Sequence, residues 1–411
     1  MLLIAQVVTF LVAAYLIIID LKSIDTKKGI NDSILQDTAL NISHLLPFTS
    51  VIETKQQLHS KFPNFNEKLR DLRLGDINFL HTTDTHGWYL GHLNQRQYSS
   101  DWGDFISFAT HLKQLTAEQG GDLLLVDTGD KHDGNGLTDL TTPNGFLSNP
   151  IFSMADYDII TVGNHELYVE EVSKFEFETI VPRYGDKFIS TNVEYLKDDG
   201  EYAIFGASKY RYFETDVNHY KVFSLSFLFD FHGGNRRVRV TPISEIIKQK
   251  WFLDLLDEFS HKEVELVVIA GHLPVAHNWE EMYQLHNVLR EYFPDTYIQY
   301  FGGHSHVRDF TIVDELSTGF QSGRYCETVG FLSLTNFTDA KYHDDFIHTG
   351  IDRKYIDFNI HSFMHHSNKS SIHDFNTEKG LKASKELYNI SKDLKLTEIQ
   401  FCHNWNQNFV I

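Results

Sequence analysis

Cysteine is scarce in this chain of 411 residues, which contains Cys326 and Cys402. Two thiols cannot build a disulfide framework or a thiolate zinc site, so they form at most one bridge or stay free. Proline is also scarce, with 8 residues, and no stiff linker marks a domain boundary. Apolar residues make up 42% and charged residues 22% of the chain. This composition is globular and excludes the disordered and collagen-like classes.

Positive charge is the second deficit of the sequence. Lys and Arg number 36 against 56 Asp and Glu, which gives a formal net charge of −20. No run of basic residues is longer than a pair. Proteins bind nucleic acids through clustered Lys and Arg side chains. We therefore expect no nucleic-acid polymer among the partners of this protein.

An uncharged apolar segment, Leu2–Ile19, lies near the N-terminus. Its length lies at the border between the core of a signal peptide and a short membrane span, which needs roughly 20 residues. We expect residues 1–20 to be a signal peptide or an uncleaved signal anchor, with a buried core helix as the alternative. Lys22, Lys27 and Lys28 follow the segment, and by the positive-inside rule they favour a cytoplasmic body instead.

Five Asn-x-Ser/Thr sequons agree weakly with exposure to the secretory lumen. They begin at Asn31, Asn41, Asn336, Asn368 and Asn389.

The pattern of the remaining chain predicts three further regions. Residues 21–71 are polar with no strong period, and we expect an N-terminal extension there. From residue 72 to about 340, strand-like runs alternate with helical patterns, which predicts an α/β fold with stacked layers. Residues 341–411 have a looser pattern and predict a C-terminal extension. Within it we expect a polar, His-rich loop at residues 361–373, with metal binding by these histidines as the less favoured alternative, and a helix at residues 377–394.

Continuous apolar runs predict buried strands, and apolar residues at helical spacing predict helices. The expected strands are Ile77–His81, Asp122–Val126, Asp158–Val162, Leu266–Ala270 and Tyr297–Phe301, and the expected helices are Asp101–Gln119 and Ile243–Phe259.

Histidine is abundant, with 23 residues, and five short segments present metal-ligand side chains beside glycine. Each segment follows an apolar run or ends in a glycine-containing turn. In layered α/β folds the carboxyl ends of the strands meet at one edge, so distant segments can converge there. The segments are Asp84–Gly87, Gly129–Gly134, Gly163–Glu166, Gly271–His272 and Gly302–His306.

Each of these segments alone is more typical of a surface turn or a helix cap, but the five together predict a metal site. Polar side chains at the end of a buried strand are costly unless they are paired or coordinated. The donors are carboxylate, imidazole and one amide, with no thiolate, which suits Zn, Mn, Fe or Mg. Two divalent ions about 3.5–4 Å apart would satisfy these groups and hold a phosphoryl group.

The order of the segments resembles the calcineurin-like metallophosphoesterase superfamily. Leu80–Gly87 resembles its 5′-nucleotidase branch, and Gly163–Glu166 and Gly303–His306 agree with that branch. The sequence as a whole is similar to fungal vacuolar or secreted members of the superfamily. The resemblance covers residues 72–340 and implies a catalytic domain there, folded as an αββα sandwich with two central mixed sheets.

The resemblance also implies two metal sites that share one carboxylate. The first ion would be held by Asp84, His86, Asp130 and His306. The second ion would be held by Asp130, Asn164, His272 and His304. His165 would not be a ligand but would protonate or stabilise the leaving oxygen as charge develops on it.

The sequence departs from the nucleotidase pattern at two places. Tyr168 stands where that branch usually has an Asp, three residues after His165. We therefore expect Asp133, the last Asp of Gly-Asp-x-x-Asp, to orient His165, with a simple turn carboxylate as the alternative. Full-length nucleotidases also carry a second domain that helps bind the base, and Thr377–Leu394 resembles the connector to it.

The expected activity is hydrolysis of phosphomonoesters, most of all nucleotides, by a dinuclear metal site acting on a small phosphorylated substrate. A nucleotide diphosphate or dinucleotide pyrophosphatase is the alternative within enzymes. A catalytically silent binding protein on the same fold is the alternative outside them. The expected location is the vacuole lumen or the extracellular space, with residues 2–19 as a membrane anchor if they are not cleaved.

Other candidate residues have weaker patterns. His92, His132 and His277 lie near the five segments, and supporting and surface roles are equally compatible with their positions. For Arg324, surface or structural pairing is favoured over contact with phosphate.

Overall fold

The structure is a computed structural model that describes residues 69–92, 95–343 and 345–396. Residues 1–68 lie outside this range, and with them the expected signal segment, most of the N-terminal extension, Asn31 and Asn41. Cys402 lies outside it as well, whereas Cys326 carries a free, buried thiol. Within the described ranges, no helix combines the length and apolar character needed to cross a membrane.

Strands and helices alternate through most of the described chain. The strands are β1 Ile77–Thr82, β2 Asp122–Asp127, β3 Ile159–Ile160, β4 Val193–Leu196, β5 Tyr202–Ile204, β6 Tyr210–Glu214, β7 Lys221–Leu228, β8 Val238–Val240, β9 Leu266–His272, β10 Tyr297–Gly302, β11 Arg308–Asp314, β12 Ser317–Ser322, β13 Thr328–Leu334 and β14 Ile351–Asp357. The α-helices are α1 Trp102–Glu118, α2 Gly136–Asp139, α3 Asn149–Phe152, α4 Glu170–Phe175, α5 Val181–Tyr184, α6 Ile243–Ile246, α7 Lys250–Ser260, α8 Glu280–Tyr292, α9 Phe346–Thr349, α10 Ile360–His366, α11 Ile372–Phe375 and α12 Glu378–Asp393. Short 3₁₀ turns lie at Arg96–Tyr98, His165–Leu167, Gly185–Lys187 and Phe337–Tyr342, and a π turn lies at Glu176–Ile180.

Two mixed sheets form the centre of the molecule. The first has the strand order β14-β13-β1-β2-β3, and the second has the order β11-β12-β10-β9-β7-β6. In the first sheet, β1 pairs in parallel with β2 and antiparallel with β13. In the second, β9 and β10 are parallel, while the edge strands β6 and β11 run antiparallel to their neighbours. A third, small sheet has the order β5-β4-β8.

Alternating side chains place three apolar layers around the two sheets. Ile77 and Phe79 of β1 belong to a buried cluster that also contains Val268 of β9, so this cluster lies between the sheets. Leu80 faces the opposite way and packs with residues of α1 and α12. Val267 of β9 packs with residues of α7 and α8 on the outer face of the second sheet. The αββα sandwich with two central mixed sheets is therefore confirmed.

Helix α1 shows how the local sequence fixes the boundaries of an element. Asp101 caps its N-terminus: its side chain accepts a hydrogen bond from the backbone N–H of Asp104, and the Asp104 side chain accepts one from the backbone N–H of Asp101. This capping box satisfies two backbone donors that the first turn would leave open. Phe105, Phe108 and Leu112 are buried on one face. The expected helix at residues 101–119 is confirmed.

Two expected elements differ from the structure. The single helix expected over Ile243–Phe259 is two helices, α6 and α7, because Gln249 adopts an extended conformation between them. The strand expected over Asp158–Val162 is reduced to Ile159–Ile160, since the residues after it turn into the loop that carries Asn164.

The loop expected at residues 361–373 is also wrong, because most of this stretch forms the short helices α10 and α11. The Asn359 side chain caps α10 by accepting from the backbone of Ser362. Phe363 is buried and stacks on Phe108 of α1, with ring centroids 4.6 Å apart and planes 3° apart. A local cap and one buried aromatic side chain therefore order a stretch whose composition is polar.

The folded unit continues past residue 340, where a catalytic domain was expected to end. Strand β14 pairs antiparallel with β13 along its whole length and forms the edge of the first sheet. Helix α12 then packs on α1 at Gly103 and Gly380, where a Cβ on either glycine would collide with the other helix. The C-terminal segment up to residue 393 is therefore an integral layer of the sandwich.

Candidate metal centre

The five polar segments converge at the carboxyl edge shared by the two sheets. Residue 84 follows β1, residue 130 follows β2, residue 164 follows β3, residue 272 ends β9, and residue 304 follows β10. The parallel pairing of β1 with β2, of β2 with β3 and of β9 with β10 brings these ends together. This convergence matches the position in which α/β sheets bind ligands.

Left-handed backbone conformations are concentrated at this edge. Five of the seven candidate ligands have φ values between 46° and 71°, a region that costs a non-glycine residue about 1–3 kcal/mol and is found mostly at functional sites. The loops hold these residues in place through hydrogen bonds such as that from the Asp84 N–H to the Gly129 carbonyl (3.0 Å). The five ligands are Asp84, His86, Asp130, His304 and His306.

The first group of candidate ligands consists of Asp84, His86, Asp130 and His306, whose donor atoms all lie within 4.8 Å of one another. The Nε2 atoms of His86 and His306 are 3.0 Å apart. The Nε2 of His306 is 3.3 Å from Oδ1 of Asp84, and that of His86 is 3.8 Å from Oδ2 of Asp130.

The second group consists of Asp130, His272 and His304, again within 4.8 Å of one another. The Nε2 of His272 lies 3.0 Å from Oδ2 of Asp130 and 3.0 Å from Oδ1 of Asn164. The ring of His304 stacks on Phe229, with centroids 4.0 Å apart. Asp130 therefore belongs to both groups, and all seven candidate ligands lie together.

The tautomers of two histidines fit a cation rather than a proton-sharing pair. The Nδ1 of His86 lies 2.7 Å from the carbonyl oxygen of Asp133, and the Nδ1 of His272 lies 2.7 Å from that of Thr128. A carbonyl can only accept, so both Nδ1 atoms carry a hydrogen, and in the neutral imidazole that binds a metal ion each Nε2 atom presents a lone pair. For His272 this lone pair faces the oxygens of Asp130 and Asn164, an arrangement that a divalent ion would satisfy.

The carboxylate and imidazole groups perturb one another strongly. Burial alone would raise the pKa of Asp130, but His272, His165 and His86 outweigh it and hold that pKa well below its ordinary range. Burial would likewise lower the pKa of His272, but Asp130 raises it to about 9. Burial and the neighbouring His272 lower the pKa of His304 to about 4. Asp130 thus stays ionised although it is buried, and the raised pKa of His272 shows that this carboxylate favours a positive charge beside it.

His165 and Asp133 lie beside the ligand groups rather than among them. The Nδ1 of His165 is 3.1 Å from Oδ2 of Asp133, and its Nε2 is 4.0 Å from Oδ2 of Asp130. Burial alone would lower the pKa of His165, but the bond to Asp133 and the charge of Asp130 raise it. The structure thus places Asp133 where the sequence analysis expected it, within hydrogen-bond distance of the imidazole.

A buried ionic network beneath the site was missed by the sequence analysis. Glu166 accepts hydrogen bonds from the backbone N–H groups of Asp130 (3.0 Å), Lys131 (2.7 Å) and Gly163 (2.7 Å), so it ties two ligand loops together. The Nζ of Lys131 lies 3.0 Å from Glu176 and 3.6 Å from Glu166. All three side chains are essentially inaccessible to solvent. The motif Gly-Asn-His-Glu contains Glu166, but nothing in its spacing predicts Glu176 as a neighbour.

Gly163 is required by the same packing. A Cβ at this position would collide with the Oδ1 atom and the backbone N of Asp130. The glycine therefore lets the β3 loop approach the shared carboxylate closely.

The remaining candidates have supporting or surface positions. His132 is buried, with Nδ1 3.0 Å from Oδ1 of Asp133, and His92 lies 2.6 Å from the Tyr325 carbonyl oxygen. His277 is exposed, and Arg324 places its guanidinium over the Tyr325 ring. Across residues 69–92, 95–343 and 345–396, His, Cys, Asp and Glu side chains form metal-competent groups of three or more at this edge and nowhere else, which excludes the His-rich stretch.

The chain is similar to a known protein family and to several individual proteins. The sequence model of the family described as calcineurin-like phosphoesterase matches residues 77–308, which is more than half of the chain. The crystal structure of a 5′-nucleotidase from Candida albicans is similar, with 51% sequence identity and a TM-score of 0.76. The match covers 79% of this chain and 60% of the Candida chain.

Two relatives known from sequence extend over most of the chain. An uncharacterised protein of Saccharomyces cerevisiae is 44% identical over 85% of this chain and 58% of its own length. A protein of Arthroderma benhamiae named "Secreted protein" is 39% identical over 80% of this chain and 54% of its own length. The chain therefore spans somewhat more than half the length of the relatives it matches.

Proposed function

Because the chain belongs to the calcineurin-like phosphoesterase family, we propose that it hydrolyses phosphomonoesters of nucleosides with two divalent metal ions at the shared sheet edge. The observation that carries this proposal is the position of Asp130, which belongs to both ligand groups. One carboxylate between two sets of donors is the arrangement that a pair of ions requires. The 51% identity to the Candida albicans 5′-nucleotidase supports a nucleotide as the phosphorylated substrate.

The side chains at the sheet edge are arranged to hold two ions and a substrate. When bound, two divalent ions supply an activated water and hold the oxygens of the phosphoryl group. Asp84, His86 and His306 would hold the first ion, and Asn164, His272 and His304 the second, with Asp130 between them. The hydrogen bonds from Nδ1 of His86 and His272 to backbone carbonyls fix the orientation of the two rings and would leave both Nε2 atoms free to bind an ion. This set of carboxylate, amide and imidazole ligands is suited to Zn, Mn, Fe or Mg.

His165 is placed to give a proton to the leaving oxygen. Its Nδ1–H donates to Asp133, so the Nε2 atom points toward the ligand groups and can carry the proton that is transferred. The carboxylate of Asp133 stabilises the imidazolium form and fixes the ring orientation, as an acidic partner does for a general acid. The nucleoside oxygen leaves as a neutral hydroxyl once this proton has moved.

The location of the protein follows from the apolar Leu2–Ile19 segment and from the relative named as secreted. We infer that the chain enters the secretory pathway and acts in the vacuole lumen or outside the cell. Asn336, Asn368 and Asn389 are exposed in the structure, so these sequons are accessible for glycosylation.

The test is phosphate release by the purified protein with Mn, Zn, Co or Mg, from nucleoside monophosphates and from an aryl phosphate. We expect metal-dependent release, and we expect His304→Ala to abolish it while His277→Ala, at an exposed position, leaves it unchanged. A folded protein that releases no phosphate with any of these metals would refute the activity. Product analysis with a dinucleotide distinguishes a pyrophosphatase, and fewer than two ions per chain would favour a silent binding protein.

A further inference from the structure

Tyr168 is the residue at which this chain departs from the expected pattern, and it contacts two residues of the site. Its hydroxyl lies 2.8 Å from the Nδ2 of Asn164. Its ring meets the His165 ring edge to face, with centroids 5.1 Å apart and planes at 90°. The side chain is 42% exposed, so it forms part of the rim of the site rather than of the core.

The hydrogen bond determines how the Asn164 amide is held. Since Nδ2 can only donate, the Tyr168 oxygen accepts, and the opposite end of the amide, Oδ1, is the end that faces His272 at 3.0 Å. An asparagine side chain is neutral and turns about a broad terminal torsion, so one oxygen ligand is well placed only if the amide nitrogen is fixed. Among the described residues, the Asn164 Nδ2 donates its hydrogen bond to the Tyr168 hydroxyl.

The ring of Tyr168 is itself fixed from the other side. It packs edge to face on Phe231, with centroids 5.4 Å apart and planes at 75°. Phe231 lies in the loop after β7 and is 8% exposed. The hydroxyl therefore sits on a side chain that is held by aromatic contacts on two sides, which makes it a stable anchor for Asn164.

We propose that Tyr168 is a positioning residue for the second metal site, where its hydroxyl holds the Asn164 amide with the oxygen directed at the ion. This proposal rests on the proposed function, because it assigns Asn164 as a ligand. The two neighbours of His165 then have different roles. Asp133 supplies the carboxylate that stabilises the imidazolium, and Tyr168 supplies a neutral hydroxyl that holds a metal ligand.

The test is metal binding by the intact protein in the absence of substrate. Mn²⁺ is titrated into metal-free wild type, Tyr168→Phe, Asn164→Ala and the double variant, and the affinities of the two ions are resolved by calorimetry. We expect Tyr168→Phe to weaken the second ion by about 10- to 100-fold and to leave the first ion unchanged, which is the usual effect of losing a partner of a ligand. Tyr212→Phe is the matched control, since its hydroxyl also makes one hydrogen bond, to the Glu263 carbonyl at 2.7 Å, far along the chain on β6.

The double variant distinguishes positioning from a general structural role. In the Asn164→Ala background the hydroxyl has no amide to hold, so Tyr168→Phe should cause no further loss of affinity. Losses that add, equal weakening of both ions, or an unchanged second ion would each overturn the proposal. Because no substrate is present, a wild type that binds two ions but releases no phosphate would refute the proposed function and leave this inference intact.

Discussion

The imidazole of His165 lies between two carboxylates, with its Nδ1 3.1 Å from Asp133 and its Nε2 4.0 Å from Asp130. One carboxylate is part of both ligand groups, whereas the other belongs to none. The Nε2 of His165 therefore faces the ligand groups, while its Nδ1 stays hydrogen-bonded to Asp133. This arrangement makes the role of Asp133 separable from metal binding.

Replacement of Asp133 tests this separation through the pH profile. We expect Asp133→Asn to lower kcat by roughly 10-fold or more, since positioned proton transfer contributes about 10²–10⁴-fold. Asp133 raises the pKa of His165, so its loss lowers that pKa. In the proposed mechanism the protonated imidazole is the active form, so activity should be lost as the pH rises through its pKa. The alkaline limb of kcat should therefore move to lower pH.

The matched control for Asp133→Asn is Asp198→Asn, which removes an exposed carboxylate paired with Lys174 at 2.9 Å. It should leave the profile unchanged. A profile of Asp133→Asn that overlays the wild type would show that Asp133 is a turn carboxylate with no effect on His165.

Removal of metal should destabilise the folded protein. The edge of the two sheets gathers buried carboxylates and imidazole nitrogens, and burial of such polar groups is costly unless they are paired or coordinated. A ligand that binds the folded state at 100 times its Kd adds about 2.7 kcal/mol of stability per site. We expect chelation by EDTA to lower Tm by several degrees and added Mn²⁺ to restore it, as measured by calorimetry. An identical Tm with and without chelator would contradict the metal centre.

The buried lysine beneath the site should be important for stability. Lys131→Met would leave Glu166 and Glu176 buried without their cation, and breaking a buried ion pair in this way costs about 3–5 kcal/mol. We expect a loss of this size in the free energy of unfolding by urea. Lys379→Met is the control, because this half-exposed lysine pairs with the exposed Asp156 and such pairs contribute about 0–1 kcal/mol. Equal small losses in both variants would show that the network contributes little.

A methyl group at Gly163 should disturb metal binding. In Gly163→Ala the new Cβ collides with the Asp130 carboxylate, so this side chain must shift away from both ligand groups. We expect weaker binding of both ions, measured by metal content after dialysis. Gly136→Ala is the control, since a Cβ there meets the ends of flexible leucine side chains at 3.1 Å or more. Full metal content in Gly163→Ala would contradict the close approach.

The sequence predicts the ligand loops well because each one follows a continuous apolar run. The strand ends at Thr82, Asp127 and His272 lie within two residues of their expected positions, and the parallel pairing of such strands is a general property of α/β folds. The αββα order of layers is confirmed as well, but it is implied by the family resemblance, because continuous apolar runs do not tell which strand face meets which layer.

Other parts of the site could not be predicted because they depend on tertiary contacts. Neighbouring loops impose the left-handed backbone conformation of His86 and His306. Neither position is a glycine, so the sequence does not predict this conformation. The pair of Lys131 with Glu176 joins residues 45 positions apart on either side of the β3 loop. The bond from Asn164 to Tyr168 is local, but a half-exposed tyrosine has no pattern that distinguishes it from any other rim residue.

The close approach of α1 and α12 at Gly103 and Gly380 limits how the chain can be shortened. Helix α1 covers the outer face of the first sheet, on the side away from the second sheet, and Ala383 and Leu387 of α12 complete that covering layer. A fragment trimmed at residue 340 would strip the outer strand and uncover α1, exposing aromatic side chains such as Phe108. The smallest stably folded fragment should therefore retain the chain at least to Asp393.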